Sequence, residues 1–393
     1  MRRLPCFLLF FLLFSPSAIF SQNYQKLHKS ALLIDTHNDF PSSAIAKKVA
    51  FDQNLLGKTH SDLNRMKEGG VDIQVFSIFC GPEQAKPYAF ANQEIDSVYE
   101  WARRNPDRMM LVYNSQDLRK AVRKKKFGAM MGVEGGHMIE DKLENIEALY
   151  KRGVRYMTLT WNNSTPWATS ALDETRHKDS MPHMGLNDFG KDVVLKMNAL
   201  GMIVDLSHTG EKTFWDAINT TTKPVIASHS CVYTLCPHRR NLKDDQIKAI
   251  AKNGGVIHLN FYAGFIDSTY EKKALAFRSV HKAEIDSLIK LKYQPDYAGM
   301  IILEKYPTEL GSMLPPLSML IDHLDYIVKL VGVDHVGLGS DFDGIEAPPK
   351  GLKGVEKFPE ITRELISSGY SKKDIKKILG GNFIRVLKAN EIH

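Results

Sequence analysis

Six residues scattered along the chain are of the types that bind first-row metals or move protons: His37, Asp39, Glu134, His208, His229 and Asp341. Imidazole and carboxylate are the natural donors for such an ion where paired cysteines are absent. Each of the six stands at the exit of a short apolar run: residues 31–34, 127–133, 202–206, 224–228 and 335–340. Side chains two apart on an extended segment point to the same face, so His37 and Asp39 converge. Taken singly, each has a plainer reading. His37 and Asp39 could be a polar strand exit, Glu134 the partner of a lysine, and His208 the cap of a following helix. His229, between Ser228 and Ser230, could be a hydrogen-bonded loop residue. Their shared position at strand ends argues for one common centre.

Three histidines with Asp39 and Glu134 exceed what one zinc ion takes, but they suit two metals sharing a carboxylate. Two ions roughly 3.5–4 Å apart hold a hydroxide between them and clamp a substrate oxygen. Glu134 is the natural bridge, because it has two oxygens and Gly135-Gly136 after it lets backbone and ligand approach closely.

The elements that must position these residues follow a regular rhythm. Strands are predicted at residues 71–79, 127–134, 156–161, 202–206, 224–228, 256–260 and 335–340, after a first one running into His37. Helices are predicted at 61–68, 93–104, 115–126, 140–152, 187–200, 211–219, 244–253 and 317–330. Eight strands alternating with helices predict a parallel sheet closed as an α/β (β/α)8 TIM barrel, whose C-terminal strand ends form one rim. The binuclear metal site belongs on that rim. A polar loop fills residues 162–186, and Pro41 stops the first strand. A helical insertion at about 267–314 reads as a lid or as the element of a homodimer rather than as a separate domain. The mature domain spans 22–393.

The 43% apolar and 25% charged content is that of a soluble globular protein. A net charge of +7, without a basic stripe interleaved with aromatics, argues against nucleic acid. Arg2 and Arg3, the apolar run 6–14 and small residues up to Ser21 predict a signal peptide over residues 1–21. The run is well short of the ~20 residues of a membrane span. An exported protein, periplasmic or secreted, with no stable transmembrane segment after cleavage is therefore expected. Cys80, Cys231 and Cys236 would remain, an odd and low count that describes no disulfide framework.

Ordered blocks run through the chain: Ile34-Asp35-Thr36-His37-Asn38-Asp39, Gly132-Val133-Glu134-Gly135 and Asp205-Leu206-Ser207-His208. They continue with Ser228-His229-Ser230, Arg239-Arg240-Asn241 and Gly339-Ser340-Asp341-Phe342-Asp343-Gly344. In these blocks the chain resembles the membrane dipeptidase (renal dipeptidase) family, zinc peptidase family M19 of the metal-dependent amidohydrolase superfamily. The resemblance implies two Zn2+ per chain, with His37 and Asp39 on one, His208 and His229 on the other, and Glu134 with a hydroxide bridging them. It implies Asp341 as the catalytic aspartate and Arg240 as the arginine that binds a substrate α-carboxylate. Dipeptide substrates, tolerance of a C-terminal D-residue and opening of some β-lactams are further expectations of the same kind. Without the resemblance, Arg240 reads equally well as a surface partner of Asp244 or Asp245.

One departure bears on specificity. Renal-type members carry a substrate-pocket histidine where this chain has Trp161, in Thr160-Trp161-Asn162-Asn163-Ser164-Thr165-Pro166-Trp167-Ala168. Tryptophan neither accepts a proton nor carries charge, so either His177 or His183 substitutes or Trp161 reshapes the pocket. Asn163 stands where the family's partner for Cys80 would be, and no such disulfide is expected. Two rivals remain at this point: an amidohydrolase acting on another amide or lactone, and a non-catalytic envelope binding protein.

Overall fold

Nine parallel strands form one sheet in the computed structural model, which describes residues 24–291 and 295–392. In chain order they are β1 (Ile34–Asn38), β2 (Ile73–Phe79), β3 (Met109–Leu111), β4 (Phe127–Glu134), β5 (Val154–Thr158), β6 (Ile203–Asp205), β7 (Ile226–Ala227), β8 (Val256–Leu259) and β9 (Val336–Leu338). Eight follow the path β1-β2-β4-β5-β6-β7-β8-β9, while β3 attaches to the start of β4. The two ends meet at a parallel bridge between Asn38 and Phe342, where Asp341 N–H donates to His37 O and Asp39 N–H to Phe342 O. The result is the nearly closed (β/α)8 barrel that the strand–helix rhythm predicts. The expected signal segment 1–21 lies outside the described residues. No described helix is long and apolar enough to cross a membrane.

Period-two alternation sorts the strand side chains into two layers. Ile34, Ile73, Val75, Met130, Tyr156, Ile203, Ile226 and Val256 cluster with Phe383, Val386 and Leu387 of the helix Asn382–Asn390, which closes the barrel floor. Phe76, Ile78, Met131, Val133, Met157, Val204, Ile257 and Leu338 pack in a larger cluster with the surrounding helices. Two or four residues beyond the floor, the inward rows turn polar at Ser77, Glu134, Thr158, Asp205, Ser228 and Asn260, all buried. Each fully buried aliphatic side chain contributes roughly 1.5–3 kcal/mol relative to exposure, so the apolar layers stabilise the barrel and leave its upper rows free for chemistry.

A bulge in β1 decides how its residues aim. Asp35 pairs with Gln74 and Asn38 with Phe76, so three steps of β1 oppose two of β2. Thr36 and His37 consequently both reach inward, Thr36 Oγ1 donating to Ser228 O at 2.8 Å and His37 Nδ1 lying 2.8 Å from Tyr156 Oη. Asp39 then leads directly into the helix Phe40–Lys47, where Pro41 is tolerated because first-turn N–H groups have no intrahelical partner.

The described part of 267–314 contains the helices Tyr270–Val280, Lys282–Lys290, Pro295–Lys305 and Pro307–Met313, with a small apolar core that includes Tyr270, Phe277, Leu303 and Met313. Several boundaries differ from the sequence expectation. The helix expected from 93 begins at Pro87, whose fixed φ suits a first turn. The helix expected from 140 begins at Leu143, after a tight turn over Gly136–Ile139. The loop 162–186 contains the short helix Ala171–Arg176, capped by Ser170. The strand β3 and the C-terminal helices Phe358–Ser367, Lys372–Lys376 and Asn382–Asn390 have no counterpart among the expected elements. Cys80, Cys231 and Cys236 are buried, and no disulfide forms among the described residues.

Candidate metal centre

The six residues converge on Glu134. One of its oxygens, Oε1, lies 2.9 Å from His208 Nε2 and 3.3 Å from His229 Nε2. The other, Oε2, lies 3.3 Å from His37 Nε2 and accepts from Ser77 Oγ at 3.1 Å. His37 Nε2 is 3.6 Å from Asp39 Oδ2 and 4.0 Å from Asp341 Oδ1. Glu134 therefore divides its oxygens between a histidine pair on one side and a histidine–aspartate pair on the other. All five nearest residues are buried.

Every histidine of the cluster has its Nδ1 engaged away from the centre. Tyr156 Oη donates to Thr36 O at 3.0 Å, which leaves it to accept from His37 Nδ1–H. Ser228 Oγ donates to Asp205 Oδ2 at 2.6 Å and sits 2.8 Å from His229 Nδ1. His208 Nδ1 lies 3.1 Å from Asn162 Oδ1. Such outer partners fix the tautomer and turn each Nε2 toward the ligand site. His208 Nε2 and His229 Nε2 then confront each other at 2.9 Å, and His37 Nε2 and Asp39 Oδ1 are buried without hydrogen-bond partners. Opposed lone pairs and orphaned buried acceptors are the arrangement that a cation relieves. The donors accordingly fit metal binding, as a nitrogen–oxygen set without thiolates.

Electrostatics agree with the geometry. Burial, with the charge of Arg240 next, lowers His208 to about 3, and burial with the charge of His37 holds His229 well below its ordinary value. Both imidazoles are thus neutral, as ligation requires. Burial would lower His37 too, but the carboxylates of Glu134, Asp39 and Asp341 raise it to about 10. That field favours a positive charge at Nε2, which a proton or a metal ion satisfies. Burial pushes Glu134 up, yet the three imidazoles pull it well below the usual range and keep it ionised.

Asp341 follows β9 in a left-handed conformation (φ 62°), and Asn260 Nδ2 donates to its Oδ2 at 2.7 Å. Gly344 permits the close approach of this loop. A Cβ there would lie 2.1 Å from Asp39 Oδ2 and 2.8 Å from Asp341 Oδ1. Arg240 is buried, not a surface partner of Asp244 or Asp245. Its Nη2 donates to His229 O at 3.2 Å, its Nε has no partner, and its guanidinium lies 5.4 Å from the Phe265 ring centre. Burial lowers it to about 10, so it stays charged at neutral pH. Arg240 and His208 line one cleft of about 620 Å3.

Trp161 is half-buried between the rings of Phe79, 4.9 Å away, and His208, 6.2 Å away. Of the two histidines expected to compensate for it, His177 is exposed and His183 keeps a buried Nε2 without a partner. At Gly135, a Cβ would lie 2.6 Å from His137 Nδ1 and 3.3 Å from Trp161 Cβ, so only a residue without a side chain fits there. Tyr156, Asn162, Ser228 and Asn260 were not anticipated from sequence. Tyr156 alone offered a signal, since an inward aromatic hydroxyl on a buried strand needs a partner.

A parallel barrel with histidines and carboxylates gathered at its C-terminal strand ends defines a metal-dependent hydrolase. The chain belongs to the membrane dipeptidase family, peptidase family M19, whose model matches residues 21–393. It is a metallo-dipeptidase, which sets aside the reading as a binding protein. An uncharacterized dipeptidase of Schizosaccharomyces pombe (strain 972) is 32% identical, covering 94% of this chain and 83% of the relative. The crystal structure of the probable dipeptidase PvdM from Pseudomonas aeruginosa superposes with a TM-score of 0.78 at 26% identity, over 96% of this chain and 99% of that one. A metallo peptidase from Rhodobacter sphaeroides, liganded with a phosphinate mimic of L-Ala-D-Ala, shares the fold with a TM-score of 0.74 at 22% identity, over 92% and 99% of the two chains.

Proposed function

We propose that this metallo-dipeptidase cleaves dipeptides bearing a free C-terminal carboxylate, with two zinc ions in the centre around Glu134. One observation carries the proposal: Glu134 turns Oε1 to His208 and His229 and Oε2 to His37, while Arg240 lines the same cleft as His208. His37 with Asp39 would hold one ion, His208 with His229 the other, and Glu134 both. Metals bound there would supply Lewis acidity, lowering the pKa of a water nucleophile and offsetting charge on the scissile oxygen.

The chain's own residues orient the substrate and move the proton. Arg240, buried and charged, offers a forked donor to the α-carboxylate and so anchors the C-terminal end of a dipeptide. Asp341 Oδ1 faces the centre beside His37 and is placed to take the proton of the attacking water and return it to the leaving amine. Phe79 and Trp161 present an aromatic wall next to His208, against which a substrate side chain packs. The Arg2-Arg3 pair and the apolar run 6–14 support export of the protein.

The test is an assay of the purified protein on L-Ala-L-Ala, L-Ala-D-Ala and their C-terminal amides, with metal analysis, chelator treatment and zinc add-back. Two zinc ions per chain, chelator-sensitive activity restored by zinc, and turnover of the free peptides well above the amides are expected. Equal turnover of amides and free peptides would refute the role of Arg240. Full activity with less than one metal per chain would refute the metal centre.

A further inference from the structure

Asn260, at the exit of β8, is fully buried and touches the proposed proton shuttle directly. Its backbone is pinned on both sides to the β9 segment, with Gly339 N–H donating to Leu259 O at 3.0 Å and Phe261 N–H to Ser340 O at 3.3 Å. Its amide orientation follows from chemistry alone. Tyr262 N–H lies 2.6 Å from Oδ1 and can only donate, so the oxygen must face it. The Nδ2 hydrogens then point at Asp341 Oδ2, 2.7 Å away. That hydrogen bond fixes one of the two carboxylate oxygens of Asp341. With Oδ2 tied, Oδ1 is the oxygen turned toward His37 Nε2 and the centre.

We infer that Asn260 is the positioning residue for Asp341, holding its carboxylate in the one rotation that aims Oδ1 at the reacting atoms. The inference rests on the proposed role of Asp341 as proton shuttle. The Asn260 side chain bonds Asp341 and Tyr262 N–H, so its role is exerted through Asp341.

The test compares kcat, KM and zinc content of N260A, N260D, D341N and the double variant N260A/D341N on L-Ala-D-Ala. Loss of an outer partner of this kind costs about 10- to 100-fold, here expected in kcat, with KM and zinc content unchanged. The double variant should be no slower than D341N alone, because the aim of a missing carboxylate no longer matters. N260D retains an acceptor for Tyr262 N–H but turns a carboxylate oxygen toward Asp341. It should show the same kcat loss, and it keeps the test open if N260A does not fold. Additive losses in the double variant, loss of zinc in N260A, or full kcat in both single Asn260 variants beside an inactive D341N would overturn the inference. A fully active D341N would instead bring down the role of Asp341, and the inference with it.

Discussion

Tyr156 Oη stands 2.8 Å from His37 Nδ1, joining the middle of β5 to the bulged end of β1 across the barrel interior. Burial pushes the phenol well above its ordinary value, so it remains a neutral hydroxyl that donates to Thr36 O and accepts from His37. A Cβ on Gly132 would lie 2.2 Å from the Tyr156 ring, so the small residue in β4 makes room for this contact.

Removing that hydroxyl should therefore weaken the centre without opening the barrel. Tyr156→Phe keeps the buried ring but frees His37 to change tautomer. Zinc affinity at the His37 side is expected to fall about 10- to 100-fold, read by competition with a chromogenic chelator, while Tm shifts by only a few degrees. Unchanged affinity would show that the hydroxyl does not orient His37.

Gly344 is expected to tolerate no side chain. The Cβ of Gly344→Ala would collide with both Asp39 and Asp341. A displacement near 1 Å at a catalytic group costs about 100-fold in rate, so kcat/KM should drop by about that factor. Overpacking typically destabilises by about 1–3 kcal/mol, and a denaturant titration separates this from the loss of rate.

Arginine at position 240 should not be replaceable by lysine. Lysine keeps the charge but loses the planar fork. Hydrogen bonds to charged groups contribute about 1.5–3 kcal/mol, so Arg240→Lys should raise KM for free dipeptides by about 10- to 100-fold. Hydrolysis of the amidated peptides should hardly change. An equal effect on both would mean that Arg240 does not read the carboxylate.

Stability should depend on pH through Glu346, which faces Tyr262, Glu271 and Arg278. Tyr262 Oη lies 3.4 Å from Glu346 and 3.2 Å from Glu271. Burial raises Glu346 from 4.5 to about 7, while the charge of Arg278 opposes the shift. Between those values the folded state holds a proton that the unfolded chain releases, so this contribution is complete below about pH 4.5 and is lost as pH rises through 7. It amounts to at most about 3 kcal/mol. Unfolding free energies across pH 4.5–8 should fall less steeply for Glu346→Gln than for the unaltered protein. Parallel slopes would refute the assignment.

Local pattern was enough to define the barrel and to gather its six chemical residues. Alternation at period two carries Met130 to Glu134 and Ile226 to Ser228 along one inward face, and a strand exit is visible wherever an apolar run meets a charge. Arg240 was legible only through resemblance, because nothing in its neighbourhood marks it as buried. The three-dimensional fold alone decided the finer aim of the site. The β1 bulge, the engagement of His37 Nδ1 by Tyr156 and of His208 Nδ1 by Asn162, and the packing of Trp161 between Phe79 and His208 are contacts between separate strands and loops. Hydrophobic periodicity records which face of its own element a residue occupies. It carries no trace of the partner that the closed sheet brings from more than a hundred residues away, as Tyr156 is brought to His37.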